Sequence, residues 1–198
     1  MRIKALLCAA ALVASAAASM AQSNVYSLNI VGYVNVPLTT GFNLIANPLD
    51  NGTNNLNSLF PNASFGDTIF QYKNGAFVSS SFLGTWQPDL ISPPGGGVFY
   101  QASAPSTNTF VGNVMTGNLT NHLVAGFNIA SSQVPQSATL EVLGLPAGFG
   151  DTAFYFRNGA YVSSSYLGTW QPDLSPAVGE SFWIQAGAAA DWTRTFNP

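Results

Sequence analysis

The chain of 198 residues carries one cysteine, Cys8, one histidine, His122, and so few ionisable side chains that Asp, Glu, Lys and Arg together make up 7% of it. Each scarcity removes a class of function. Cys8 falls in the N-terminal segment, so the chain beyond it has no thiol for disulfide or nucleophilic chemistry. One histidine without cysteine cannot furnish the three or four ligands of a zinc centre, and no metal or cofactor is expected. Beyond Lys4 the only basic residues are Lys73, Arg157 and Arg194 against eight acidic ones, a net charge of about −5. Phosphate recognition needs clustered Lys and Arg, so nucleic acid is not an expected partner. After residue 21 no segment reaches the ~20 apolar residues of a helical membrane span. Aromatic residues are not scarce: at 13% they can bury enough area to order the chain.

The opening MRIKALLCAAALVASAAASMAQ places Arg2 and Lys4 before a short apolar run that ends in Ser19-Met20-Ala21. A basic start, a core too short to span a bilayer and small residues two apart describe a cleavable secretory signal over 1–21, rather than an uncleaved anchor. Cys8 stands too early for a lipoprotein attachment site. The product is expected to be secreted or held at the extracellular surface, with the periplasm as the alternative.

Laid over itself, the chain repeats. FGDTIFQYKNGAFVSSSFLGTWQPDL at 65–90 matches FGDTAFYFRNGAYVSSSYLGTWQPDL at 149–174 without a gap, 84 residues later, with six differences. Gly41-Phe42-Asn43 answers Gly126-Phe127-Asn128, and Gly95, Gln101 and Ala102 answer Gly179, Gln185 and Ala186. The domains follow: a first β repeat over 22–114, including an N-terminal closing strand, and a second over 115–198. Ile30–Val34 also echoes Phe110–Val114, while the second repeat reaches Pro198 where another such strand would be cut short. The first strand is therefore expected to fill the place left open by the chain end, protecting sheet edges.

Local patterns read as strands. Tyr26, Leu28, Ile30, Val34 and Val36 keep the period of two of a half-buried strand. Asn74-Gly75 and Asn158-Gly159 separate runs of aromatic and β-branched residues, 68–73 from 76–82 and 152–157 from 160–166. Asn-Gly supplies the two positive φ angles of a type I′ turn, so each pair predicts a tight hairpin. Further strands are expected over 98–103, 108–114, 182–186 and 193–197. Two short helices are expected over 55–60 and 139–145, each stopped near a proline. Pro93-Pro94-Gly95-Gly96-Gly97 reads as a turn or exposed loop. The fold class is all-β: two tandem repeats of ~84 residues forming a pseudo-symmetric β-sandwich or barrel around one shared apolar interior.

The duplicated GTWQPDL, at 84–90 and 168–174, holds the candidate site residues. Pro88 favours extended geometry at Gln87 and ends strand pairing, so the segment is expected to cross an edge and turn. Trp86 and Trp170 then plug the interior, with Asp89 and Asp173 accepting backbone N–H bonds in the turn that follows. The alternative turns Trp86, Trp170, Phe82 and Tyr166, with Tyr100, to solvent as platforms for sugar rings, Asp89 and Asp173 bonding hydroxyls.

Catalytic readings are weaker. The Ser79–Ser81 and Ser163–Ser165 runs share no base, because His122 lies between the repeats and G-x-S-x-G is absent. Asp67 with Asp89, mirrored by Asp151 with Asp173, would serve a glycosidase only at the right carboxyl separation. Asp50–Asn55 lacks the order of a calcium loop. No catalytic residue is assigned and the chain is not expected to be an enzyme.

Ile30-Val31-Gly32-Tyr33-Val34-Asn35-Val36, followed by Gly41–Leu49 and by a Gly-x-x-Phe-aromatic strand such as Gly179–Trp183, resembles a group of exported bacterial β-repeat proteins. The resemblance implies an exported repeat protein, and no activity or catalytic residue carries over from it. The second repeat departs from it at Ser131-Ser132-Gln133, where Asn47-Pro48-Leu49 would be matched. The functional expectation is a secreted, noncatalytic structural or adhesive protein of the cell surface or matrix, with polysaccharide or other surface proteins as partners. A carbohydrate-binding module is the alternative and a glycoside-active enzyme the third reading.

Overall fold

Two hairpins form where Asn-Gly places them. Asn74 and Gly75 have φ of 52° and 80°, Asn158 and Gly159 φ of 53° and 76°, so both central residues of each turn are left-handed. The computed structural model describes residues 30–197. The expected leader over 1–21 and the Tyr26–Asn29 start of the expected first strand lie outside the described residues.

The first repeat runs β1 (Val31–Leu38), β2 (Gly41–Ile45), α1 (Leu56–Leu59), β3 (Thr68–Lys73), β4 (Ala76–Phe82), β5 (Trp86–Gln87), β6 (Val98–Ala102) and β7 (Ser106–Asn113). The second runs β8 (Gly117–Leu123), β9 (Gly126–Ala130), α2 (Leu140–Leu143), β10 (Thr152–Arg157), β11 (Ala160–Tyr166), β12 (Trp170–Gln171), β13 (Phe182–Ala186) and β14 (Ala190–Phe196). Each repeat holds an open five-stranded antiparallel sheet, ordered β2-β6-β3-β4-β5 or β9-β13-β10-β11-β12, and a two-stranded ribbon, β1-β7 or β8-β14. The fold is thus all-β, a sandwich of two similar sheet pairs whose sheets do not close into barrels.

The ribbons correct the expectation about the termini. β1 pairs with β7 of its own repeat, Val31 opposite Asn113 and Val34 opposite Phe110, and β14 pairs with β8. The two echoing segments are therefore partners of each other, and each repeat closes itself. A ribbon needs both its strands, and β8, which was not expected from the sequence, supplies the one that the chain end requires.

The single shared interior is also corrected: there are two. In the first repeat Ile69, Val98, Tyr100 and Trp86 on one sheet face meet Leu56 and Leu59 of α1 and Val36, Leu38 and Phe110 of the ribbon. In the second, Ala153, Tyr155, Ile184 and Trp170 meet Leu140, Leu143, Leu123 and Trp192. Both helices sit where expected. Asn55 caps α1 through a bond from Ser58 N, and Thr139 caps α2 through one from Val142 N.

The opposite faces of the two sheets meet. Ala46 N donates to Gly179 O at 2.8 Å and its counterpart Ser131 N donates to Gly95 O at 2.9 Å. Single bridges likewise join Ile45 to Glu180 and Ala130 to Gly96. Such reciprocity is that of a two-fold interface, here within one chain. The Pro93–Gly97 segment, expected as a turn or exposed loop, is part of this seam, with Pro94 and Gly95 buried. Gly97 lies where a β-carbon would stand 2.3 Å from the Cβ of Ser181, its own counterpart, so the pseudo-axis has room for one of the two side chains.

Candidate functional site

Trp86 and Trp170 are 1% and 2% exposed. Trp86 packs edge-on to Phe60, Phe82 and Tyr100 with centroids 6.2, 5.5 and 5.8 Å away, and its Nε1 donates to Phe60 O. Trp170 packs against Tyr166 at 5.5 Å. Rings so enclosed offer no face to a sugar, so the platform reading of these two residues is withdrawn in favour of the core. Phe82 and Tyr166 are half-buried flanks of the same indoles, and Tyr100 is buried.

Asp89 and Asp173 do accept backbone N–H bonds, but not in the turn that follows them. Asp89 Oδ1 accepts from Asn57 N at 3.0 Å and its Oδ2 from Asn55 Nδ2 at 2.7 Å. Asp173 Oδ1 accepts from Glu141 N at 3.5 Å. Each carboxylate thus meets the first turn of a helix more than thirty residues earlier, where unpaired donors and the helix dipole favour negative charge. The GTWQPDL segment therefore ties sheet to helix: Trp86 N donates to Asn57 Oδ1 and Trp170 N to Glu141 Oε1, both at 2.8 Å. The Gln87–Pro88 and Gln171–Pro172 peptides are cis.

Asp67 is buried as an acceptor hub, receiving Tyr100 Oη at 2.6 Å, Ser103 N at 2.8 Å and Ser64 N at 2.9 Å. Burial pushes its carboxyl up, but these donors outweigh it and hold it below the ordinary carboxylate range. A glycosidase acid needs the opposite shift. Asp151 accepts from Gly148 N and Gly187 N. His122 is exposed on β8, its Nδ1 2.6 Å from Asp191 across the ribbon. Among the described residues no group of three His, Cys, Asp or Glu could hold a metal, and no helix is long and apolar enough to cross a membrane.

The concave surfaces lie at the seam between the repeats. Along β3, Ile69 and Gln71 face the core, which turns Phe70 and Tyr72 outward, and pairing brings Phe99 beside Phe70 and Phe77 beside Tyr72. The second repeat presents Phe154, Phe156, Trp183 and Tyr161 in the same register. These faces touch through Phe99 and Trp183, counterparts 6.3 Å apart, with Phe99 also 5.7 Å from Phe156 and Tyr72 4.9 Å from Trp183. Contact stops short of the sheet margins and leaves two clefts. One, of about 490 Å³, is lined by Tyr72, Phe127, Phe154, Tyr161 and Trp183. The other, of about 290 Å³, is lined by Phe42, Phe70, Phe77, Phe99 and Phe156, with Tyr161 again at its border. The first five of each set are counterparts, so the clefts are pseudo-symmetric twins.

Beside each cleft the outward face turns polar. Phe42, Gln101, Thr68, Ser81 and Gln87 stand in one row across five strands, as do Phe127, Gln185, Thr152, Ser165 and Gln171. These aromatic residues were not among the candidate site residues. The signal was present: Phe70-x-Tyr72 and Phe154-x-Phe156 place rings out of phase with the core positions of the same strands, which marks a strand packed on both faces.

Comparison with family models, with curated proteins and with solved structures finds no match.

Proposed function

We propose that the chain is an exported, noncatalytic adhesive protein of the cell surface or matrix, and that it adheres to polysaccharide through the twin aromatic clefts. The observation that carries this reading is the repetition of one ring set on both sides of the pseudo-axis. Phe77 and Tyr161 are 53% and 55% exposed. They border concave, ring-lined clefts, the form that ligand sites take. The chemistry suits sugars. Ring faces take the C–H faces of pyranoses, and the neighbouring Gln-Thr-Ser-Gln row offers donors and acceptors for hydroxyls. Two sites on one chain raise avidity for a repeating polymer. The leader supports export, and Asp67 and Asp89 are engaged in structural hydrogen bonds.

The test is sedimentation of the protein with insoluble polysaccharides. Replacing Phe77 and Tyr161 together by Ser is expected to lower retention about tenfold or more, at a cost in stability of about 2 kcal/mol because each ring is half in water, so thermal unfolding confirms that the variant is folded. An unretained wild type, or a double variant retained as well as wild type, overturns the reading.

A further inference from the structure

Resting on that reading, we infer that the twin clefts have diverged, and that an uncharged glycan chain is taken by the cleft bounded by Phe42 and Phe156, continuing from it into an adjoining polar bay. The bay has a volume of about 880 Å³ and lies where the β1–β2 connection of the first repeat faces the hairpin tip of the second. Phe42 and Phe156 line both the bay and the smaller cleft, so the two spaces are continuous.

The bay supplies what the rings lack. Thr39, Thr40 and Asn158 reach it as neutral polar groups, with Arg157 and Glu180 between them. Arg157 Nε and Nη2 each meet a Glu180 carboxylate oxygen at 2.7 Å, Nη2 also donates to Ser175 O, and the guanidinium lies 4.7 Å over the Tyr155 ring. Glu180 accepts in addition from Ala177 N at 2.8 Å. The pair is held on several sides and its charges cancel. An acidic ligand would meet Glu180 and a basic one Arg157, whereas hydroxyls can donate to the one and accept from the other. A neutral polyol is the complementary ligand.

The opposite side of the molecule lacks this equipment. The counterparts of Thr39 and Thr40 are Val124 and Ala125, that of Glu180 is Gly96, and that of Arg157 is Lys73, whose Nζ points to Ile91 O at 3.4 Å. The shared rings and the Asn74/Asn158 turns were duplicated, whereas the two threonines and the Arg157–Glu180 pair stand on one side alone. The larger cleft accordingly keeps only the Gln185-Thr152-Ser165-Gln171 row that both clefts share, without the hydroxyls and ion pair of the bay.

Calorimetric titration of the intact chain tests this, using neutral hexaoses of glucose, xylose, mannose or N-acetylglucosamine, with oligogalacturonate as the acidic probe. At least one neutral hexaose is expected to bind. Phe42→Ser should weaken it about tenfold and Thr40→Val severalfold, while Phe127→Ser, the counterpart change, should stay within about twofold of wild type. Thermal unfolding of each variant controls for folding, and Phe42 and Phe127 are similarly exposed. Equal weakening by Phe42→Ser and Phe127→Ser overturns the divergence and leaves the twin-cleft reading standing. Tighter binding of oligogalacturonate overturns the neutral class. Absence of binding to every probe, together with no retention on insoluble polysaccharide, overturns both.

Discussion

The two repeats build the same wall and fill it differently. On the hairpin strands most letters coincide, yet in the interiors large rings have changed places. The first repeat holds Tyr100 on β6 and Gln71 on β3, and the second holds Ile184 and Tyr155 at those positions. Tyr100 and Tyr155 are both buried. A second exchange lies at the helix end. Phe60 and Asn108 of the first repeat become Gly144 and Trp192 in the second, and Trp192 Nε1 donates to Leu143 O where Asn108 Nδ2 donates to Leu59 O. Aromatic volume is kept while its attachment point moves, as close packing allows when total volume is preserved, and polar pairing changes with it: Tyr100 Oη donates to Asp67, whereas the buried Tyr155 Oη has no hydrogen-bond partner. The carbonyl taken by Gln71 Nε2, that of Ile91, corresponds to Ser175 O, which Arg157 takes instead.

The difference can be broken at several depths. Trp86→Ala should have the largest effect, about 4 kcal/mol, because three aromatic neighbours lose their contact. Trp170→Ala should cost about 3 kcal/mol, and equal losses in urea unfolding would show that the ring exchange leaves the two cores alike.

Tyr100→Ile alone should cost about 2–3 kcal/mol, since it removes a buried ring and the hydroxyl that serves Asp67. Adding Gln71→Tyr, which copies the second repeat's solution, should recover about 1–2 kcal/mol, and simple additivity in the double-mutant cycle would refute the exchange.

Asp67 offers a test of the first repeat in pH. Asp67→Asn should cost about 2 kcal/mol near neutrality. Its folded pKa lies below the unfolded value near 3.8, so its contribution is present above that value and disappears as pH falls through the folded pKa. Acid unfolding curves of wild type and Asp67→Asn are therefore expected to stay separated above pH 3.8 and to approach each other only as pH falls below it, and curves that approach already above pH 3.8 would contradict the assignment.

Gly97→Ala, the smallest of these effects, should cost about 1–2 kcal/mol by overpacking the seam against Ser181 and Ile129. The exchange pair Gly97→Ala with Ser181→Gly should return part of that loss, although it gives up the bond from Ser181 Oγ to Ile45 O. A pair no more stable than Gly97→Ala would place the strain elsewhere.

Much of the architecture was legible because it rests on local chemistry. Asn-Gly with flanking aromatic runs located both hairpins to the residue, and the short helices followed from their prolines and apolar spacing. The burial of Trp86 and Trp170 was legible as well, from the proline that follows each at two residues. What was not legible depended on long-range pairing. The Ile30–Val34 echo identified two strands of a kind, and nothing in their letters said that they pair with each other. β8 was missed because Asn118, Thr120 and His122 alternate with a single strongly apolar position, Leu119, before Leu123, a weak signal that pairing with β14 overrides. The clefts were hidden for a related reason: the seam sets the exposure of Phe77 and Tyr161, and a strand pattern shows which face a ring occupies without showing how far another sheet extends across it.

The meeting of Gly97 with Ser181 reaches beyond packing. Two separate identical subunits must place the same residue on both sides of their rotation axis, and any substitution there arrives twice and confronts its own image. Joining the halves in one polypeptide lifts that restriction, because one half can carry a hydroxymethyl group into space that the other leaves vacant. Once the centre is lopsided, the rims no longer need to match, and one margin of the molecule can acquire charges and hydroxyls that its twin never receives.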